Sequence, residues 1–379
     1  MSIGREWKEL RRFESLSQSA RSIVFYAENK SSIVHFEPII NELTKNMCKE
    51  ICYVTSILND PILNTNNMIH SFYIGNGTAR TKFFITLKAD VLVMDMPDLE
   101  TFHIKRSRVH PVHYVYVFHS MFSVHSYLRK GAVDHFDTIF CVGPHHIKEI
   151  RETERVYGLK PKKLIEYGYG RLDTLLEDVR NKQILTDNKK QVLIAPSYGP
   201  HNILETVGSE LVRTLLENQY RVVIRPHPIT SKTSPQIINK LTNEFQKNPD
   251  FILEKDVSFY DSFFSSHCMI SDWSGVALEF SFALQRPVIF IDVPKKINNP
   301  DFKDISCEPI EIKIRKEIGE VVNPNHIKTI PQVIESLYNN TENLKKRISE
   351  IRSKTVFNIG KAGSIGATHI TQIANTKMK

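Results

Sequence analysis

Two short stretches carry the residue types from which phosphate chemistry is built. The first is Ser271-Asp272-Trp273-Ser274-Gly275, set between apolar Cys268-Met269-Ile270 and the helix-spaced run Val276–Leu284. A strand end, a small polar turn and a helix start would leave the N–H groups of Ser274, Gly275 and Val276 pointing off the helix N-terminus, where a phosphate binds well. Glu279, one turn further in, could reach a ribose hydroxyl. The plainer reading makes Ser271, Asp272 and Ser274 ordinary N-cap residues, which any α/β protein has. The second stretch is Tyr220–Pro228, YRVVIRPHP, an apolar strand ending in Arg225-Pro226-His227-Pro228. The prolines stiffen the turn and disfavour helix just before them. A guanidinium and an imidazole thus stand at the carboxyl end of a strand, where open α/β sheets take their ligands. A cationic strand end beside a Ser/Gly helix start suits a diphosphate.

The N-terminal half is rich in histidine: His103, His110, His113, His119, His125, His135, His145 and His146. Imidazole is a common metal ligand, but there is no HExxH and no Cys/His pairing of zinc-finger type. Nothing in the sequence demands a metal or a cofactor. Most of these residues read as surface or satisfied core histidines, and the adjacent pair His145-His146 would point in different directions on a helix. His119 stands apart, because it ends the strand-like run Val115–Phe118 and is followed by Ser120. A histidine near its free pKa can take a proton from an attacking hydroxyl at neutral pH. His125 competes for the same role. Asp95 and Asp98, in VLVMDMPD, also follow a buried strand; either could orient a histidine or hold an acceptor hydroxyl, or simply cap the next turn. Ser197, Tyr198, Gly199 and His201 follow the first strand of the second half and could line the same ligand site.

These residues need strands and helices to hold them. Candidate strands are Ile23–Tyr26, Ile51–Ile57, Ile69–Ile74, Val91–Asp95, His113–Phe118, Thr138–Val142 and Leu164–Tyr167, with helical patterns at Pro38–Lys49 and His146–Tyr157. That is the βαβ rhythm of a Rossmann-like domain. The polar run Glu177–Lys190 is the best linker. A second alternation follows: strand Val192–Ala195, helix Ile203–Glu217, strand Arg221–Ile224, helix Pro235–Gln246, strand Phe251–Leu253, then the Cys268–Asp292 unit and a helix over Pro331–Ser353. The fold class is α/β with two Rossmann-like domains: residues 1–176, a linker 177–190, residues 191–355, and a tail 356–379. The tail is rich in small residues, threonine and lysine; it could be partly loose and could cross back to the first domain.

The 379 residues suit two domains, and at 41% hydrophobic there is material for two cores. A formal net charge of +8 favours an anionic partner without choosing among nucleotide, phosphate polymer, acidic lipid and nucleic acid. Dispersed Lys and Arg, with no RNP, KH or zinc-finger motif, argue against nucleic acid. Five scattered cysteines with no CxxC read as reduced, which fits a cytoplasmic setting. No apolar run follows the charged N-terminus, and no stretch approaches membrane-spanning length. The helical pattern Arg5–Arg21 places Trp7, Leu10 and Phe13 near one face with Arg5, Lys8, Arg11 and Arg12 around it. Such a helix packs on the domain behind it or lies on an anionic membrane surface.

RPHP followed by SDWSG and Glu279 resembles the CDP-glycerol glycerophosphotransferase family, the enzymes that build teichoic acids and related poly(polyol-phosphate) polymers, whose pattern has an RxHP strand end and an SDxSS-like turn. The resemblance covers both halves of the chain and is looser in the first. It implies a GT-B fold, two Rossmann-like domains facing across a cleft. It also implies transfer of glycerol phosphate or ribitol phosphate from a CDP-activated donor to an acceptor hydroxyl, lipid-linked or on a glycan. Arg225, Ser271, Asp272, Ser274, Gly275 and Glu279 would then bind the donor, and His227 would act on its diphosphate. The family's proposed base is a histidine after an apolar N-terminal-domain strand, usually in a WHG-like context. Here His119 matches it in the context FHS. A GT-B glycosyltransferase using a nucleotide sugar is the nearer alternative, and a basic nucleic-acid-binding module the farther one. The expected location is the cytoplasm, with the inner face of the membrane as a place of contact.

Overall fold

The computed structural model describes residues 2–64, 68–181, 190–254, 261–295 and 297–377. It divides into two compact units. Unit 1 comprises Met1–Thr174, Asn298–Cys307 and Thr355–Lys379; unit 2 comprises Leu175–Ile297 and Glu308–Lys354.

Unit 1 is built on seven parallel strands: β1 (Ile23–Ala27), β2 (Ile51–Thr55), β3 (Ile69–Tyr73), β4 (Val91–Met94), β5 (His113–Val117), β6 (Thr138–Cys141) and β7 (Lys163–Glu166). Their order is β3-β2-β1-β4-β5-β6-β7. The central strands β1, β2 and β4 are buried along their whole length, so they read as continuous apolar runs rather than alternating ones. Register follows the apolar segments, with Phe25 beside Tyr53 on one flank and Val93 on the other.

Unit 2 has six parallel strands: β8 (Gln191–Ile194), β9 (Arg221–Ile224), β10 (Phe251–Leu253), β11 (Cys268–Ser271), β12 (Val288–Ile291) and β13 (Gly319–Val322), in the order β10-β9-β8-β11-β12-β13. The fold is α/β and GT-B-like, with one doubly wound sheet in each unit. In each sheet the chain works outward one way from its first strand and then returns to the other side. The reversals fall between β1 and β4 and between β8 and β11, the places where such sheets bind ligands.

Several elements depart from the sequence reading. The N-terminal helix is Ser2–Glu14, and Leu10 and Phe13 are buried. Phe13 sits edge-on to Phe72 of β3 and Phe83, which lies on the helix Thr78–Thr86. The Pro38–Lys49 pattern is a helix that starts earlier, at Ile33, accommodates Pro38 and ends in a π turn, Glu42–Asn46. Of the polar stretch Glu177–Lys190, the first five residues finish the helix Gly170–Asn181, and residues 182–189 lie outside the described residues. The patterns Ile203–Glu217 and Pro331–Ser353 each divide into two helices. β13 has no counterpart in the sequence reading: with Gly319 at its start and Glu320 outward, it is too short to show a period.

The C-terminal end is ordered rather than loose. It forms a helix, Ala362–Lys377, that packs on Ile33–Asn41 and buries Ala362, Ala367, Ile370, Ile373 and Ala374 in the core of unit 1. Its small residues reflect contact: a Cβ on Gly363 would lie 2.6 Å from the Pro38 carbonyl oxygen.

Candidate functional site

In unit 2, the loop after β8 and the turn after β11 lie side by side at the chain reversal, tied by Asp272. Its carboxylate accepts from the backbone N–H of Ser197 at 2.7 Å, of Ile203 at 3.1 Å and of Trp273 at 2.6 Å. The Ser271 hydroxyl donates to the Ala195 carbonyl at 2.7 Å. Asp272 is only 1% exposed. Burial raises its carboxyl above the ordinary range, and the three N–H groups pull against that rise. Ser271 and Asp272 thus place their polar atoms on protein partners and shape the turn.

Ser274 and Gly275 then open the helix Val276–Leu284, with Gly275 at the N-cap and no side-chain cap. The first turn closes with Ala277 N–H on Ser274 O at 3.1 Å and Leu278 N–H on Gly275 O at 3.2 Å. Among the described residues no hydrogen bond is made to the N–H groups of Ser274, Gly275 or Val276. Glu279 is half-buried in the same first turn. Trp273 forms the wall behind. Its indole N–H donates to Val293 O at 3.0 Å, and the Arg315 guanidinium lies 4.1 Å over its ring while pairing with Asp292 at 2.9 Å.

At the end of β9, Arg225 is 6% exposed, with its guanidinium 3.7 Å from the Glu254 carboxylate. His227 caps the short helix Pro228–Thr233, its Nδ1 accepting from Ile229 N–H at 3.1 Å. A ring nitrogen that accepts is unprotonated, so the neutral His227 carries its proton on Nε2 and presents a donor. Its ring centroid is 4.6 Å from that of Tyr198, which the loop after β8 supplies. Ser197 is buried, Gly199 half-buried and His201 exposed.

In unit 1, Asp95 follows β4 and His119 comes just after β5. His119 Nδ1 lies 3.0 Å from the Asp95 carbonyl oxygen. A carbonyl only accepts, so Nδ1 carries the proton and Nε2 keeps the lone pair. Burial lowers the basicity of His119. The Asp95 side chain is itself buried, which pushes its carboxyl up to about 7. Asp98 is spent on an ion pair with Arg129.

His125, the competing base, is placed quite differently. It is buried with Nδ1 3.0 Å from the Glu149 carboxylate and Nε2 3.0 Å from the Cys307 carbonyl oxygen. Nε2 is thus hydrogen-bonded inside the fold, and Nδ1 faces a buried carboxylate. His145 and His146 do not diverge. Their rings lie 4.3 Å apart and their Nε2 atoms donate to consecutive carbonyls, Met121 at 3.0 Å and Phe122 at 2.9 Å. Both sit in the first turn of the helix Pro144–Tyr157, from which they reach the loop that follows His119. Three ring-bearing residues neighbour His119. Tyr127 and His35 have ring centroids 6.0 Å and 6.3 Å from its own, and Tyr169 donates to its carbonyl at 3.2 Å. The sequence offers Gly168-Tyr169-Gly170-Arg171 as a strand-end turn, which marks Tyr169; Tyr127 and His35 carry no such signal.

Among curated proteins no match to the chain is found. Solved structures match over nearly the whole chain at low identity, and so speak to the fold. The wall teichoic acid polymerase TagF is 14% identical with a TM-score of 0.60, over 100% of this chain and 96% of that one. The UDP-GlcNAc 2-epimerase of Methanocaldococcus jannaschii is 15% identical with a TM-score of 0.53, over 93% and 99%. That of Neisseria meningitidis is 15% identical with a TM-score of 0.53, over 92% and 99%. Residues 15–297, well over half the chain, match the family model described as CDP-glycerol:poly(glycerophosphate) glycerophosphotransferase. The chain belongs to that family, and it is an enzyme, a transferase that passes a polyol phosphate from a CDP-activated donor in cell-surface polymer synthesis.

Proposed function

We propose that the donor is CDP-glycerol and that unit 2 binds it at the carboxyl ends of β8, β9 and β11. The observation that carries this reading is the Asp272 carboxylate, which draws the Ser197 loop and the Ser274-Gly275 turn together at the chain reversal. The N–H groups of Ser274, Gly275 and Val276 face a diphosphate there, with Arg225 supplying positive charge and the His227 Nε2–H a hydrogen bond. Glu279 takes a ribose hydroxyl. These groups stabilise the charge that develops on the departing CMP.

In unit 1, His119 is the general base for the acceptor hydroxyl. Its Nδ1 donation to Asp95 O leaves Nε2 as the basic atom, and the lowered basicity keeps that atom unprotonated at neutral pH. The step is a direct phosphoryl transfer. The acceptor oxygen attacks the distal phosphorus, the bond to the CMP oxygen breaks, and the hydroxyl proton passes to His119. The acceptor is a lipid-linked or glycan-linked chain. No helix among the described residues is long and apolar enough to cross a membrane. The helix Ser2–Glu14 spends Leu10 and Phe13 on the core and leaves Arg5, Lys8, Arg11 and Arg12 exposed, which supports an electrostatic contact with anionic lipid.

A thermal-shift panel of CDP-glycerol, CDP-ribitol, CMP, UDP and UDP-sugars tests the donor. A ligand that binds only the folded state raises the melting temperature by mass action. CDP-glycerol and CMP should do so. A response to the UDP compounds alone would overturn the reading.

A further inference from the structure

Behind His119, three strand ends of unit 1 bring further groups together. His35 comes from the first turn of the helix that follows β1, and Tyr169 and Arg171 come from the segment after β7. Gly168, with φ +102°, makes the turn that delivers them; it also admits the Phe357 carbonyl oxygen, which would lie 2.5 Å from any Cβ there. The His35 ring lies 5.8 Å from Tyr169 and 6.3 Å from His119, centroid to centroid. His35 is 7% exposed and Arg171 6%.

The surroundings of His35 are unfavourable to the protein alone. Its Nδ1 is buried and, among the described residues, has no hydrogen-bond partner. The charged groups acting on it are His119 and Arg171, and both add to burial in holding its basicity down. Burying an unsatisfied imidazole nitrogen costs free energy that the fold does not recover through this ring. An anion accepting from the imidazole and the guanidinium would offset that cost. Neither residue is needed to orient His119, since the Asp95 carbonyl does that.

We infer that His35 and Arg171 form an anion subsite beside His119 that holds a phosphate group of the acceptor chain. The inference rests on His119 being the acceptor-side base. A growing polyol-phosphate chain carries a phosphate close to its terminal hydroxyl. Holding that phosphate would fix the hydroxyl near Nε2 and select phosphate-bearing acceptors over neutral polyols.

The test is calorimetric titration of the full chain with glycerol 3-phosphate and, separately, with glycerol, in saturating CDP so that both phosphate positions proposed in unit 2 are filled. Glycerol 3-phosphate should bind and glycerol should not. His35→Gln and Arg171→Gln should each weaken that binding by about tenfold or more, the loss of one charge-assisted contact, while CDP-glycerol affinity stays unchanged. Melting temperatures of both variants are measured alongside. If Arg171→Gln does not fold, His35→Gln decides. Absence of glycerol 3-phosphate binding in saturating CDP, or unchanged binding in a folded His35→Gln protein, would each overturn the inference. The underlying reading fails separately: normal turnover in His119→Ala would remove the base, whatever the titration shows.

Discussion

The carboxylate of Asp272, just past the end of β11, holds the backbone N–H of Ser197, beyond the end of β8, at 2.7 Å. Two loops separated by 75 residues are joined by one buried side chain. Replacing it with alanine strands three N–H groups. Asp272→Ala should therefore destabilise unit 2 by ~3 kcal/mol or more, since each orphaned buried donor costs about 1–3 kcal/mol. Donor affinity should fall with it. Denaturant unfolding and CDP-glycerol titration on the same variant check both; a stable variant with normal affinity would remove Asp272 from the design of the site.

Arg225 and His227 should separate in their effects. Arg225 is buried against Glu254, so Arg225→Ala lowers both the melting temperature and donor affinity. His227 is half-buried and caps a short helix, so His227→Ala should leave the melting temperature within a few degrees and raise the donor KM. Full activity in both variants would move the donor site elsewhere.

His119 and His125 give opposite patterns. His119→Ala should keep CDP-glycerol affinity and the melting temperature while losing roughly 100-fold or more in turnover. His125→Ala removes the imidazole from beside the buried Glu149 carboxylate, which keeps only part of its surroundings, the Val124 N–H at 2.6 Å among them. It should destabilise unit 1 by about 3–5 kcal/mol, a drop on the order of 10 °C in melting temperature. Single-turnover rates and calorimetry on the two proteins settle which residue is the base and which is structural.

Asp95 makes stability depend on pH. Its carboxyl is pushed up to about 7 by burial, from 3.8. Between those values the folded chain binds the proton that the unfolded chain has lost, so this contribution to stability falls as pH rises from about 4 to about 7, and is flat beyond. Asp95→Asn removes the titration. Its melting temperature should match the wild type near pH 4 and exceed it at pH 8. A constant difference across that range would show that Asp95 is not the group responsible.

Liposome sedimentation checks the membrane contact. Binding should appear with anionic vesicles, weaken as salt is added, and fall when Arg5, Lys8 and Arg11 are changed to glutamine. Equal binding to neutral vesicles, or none to anionic ones, would exclude an electrostatic contact.

The strands around the candidate site residues were legible in the sequence because buried parallel strands are short unbroken apolar runs. Val288–Ile291 and Val115–Val117 need no partner to be recognised. The turn chemistry was legible too: Pro226 and Pro228 fix a strand end, and Ser274-Gly275 opens a helix. The tertiary structure decided which polar atoms are left for a ligand. Asp272 and Ser274 look alike as turn residues, yet Asp272 is consumed by N–H groups from the β8 loop. Spacing along one segment cannot show that, because the partners come from another. The strand end set His119 apart in the sequence but left His125, six residues on, as its competitor; only the tertiary structure encloses His125 between Glu149 and the Cys307 carbonyl. His35 carried no sequence signal at all, since its neighbours His119 and Arg171 lie 84 and 136 positions away and meet it only where parallel strands end together.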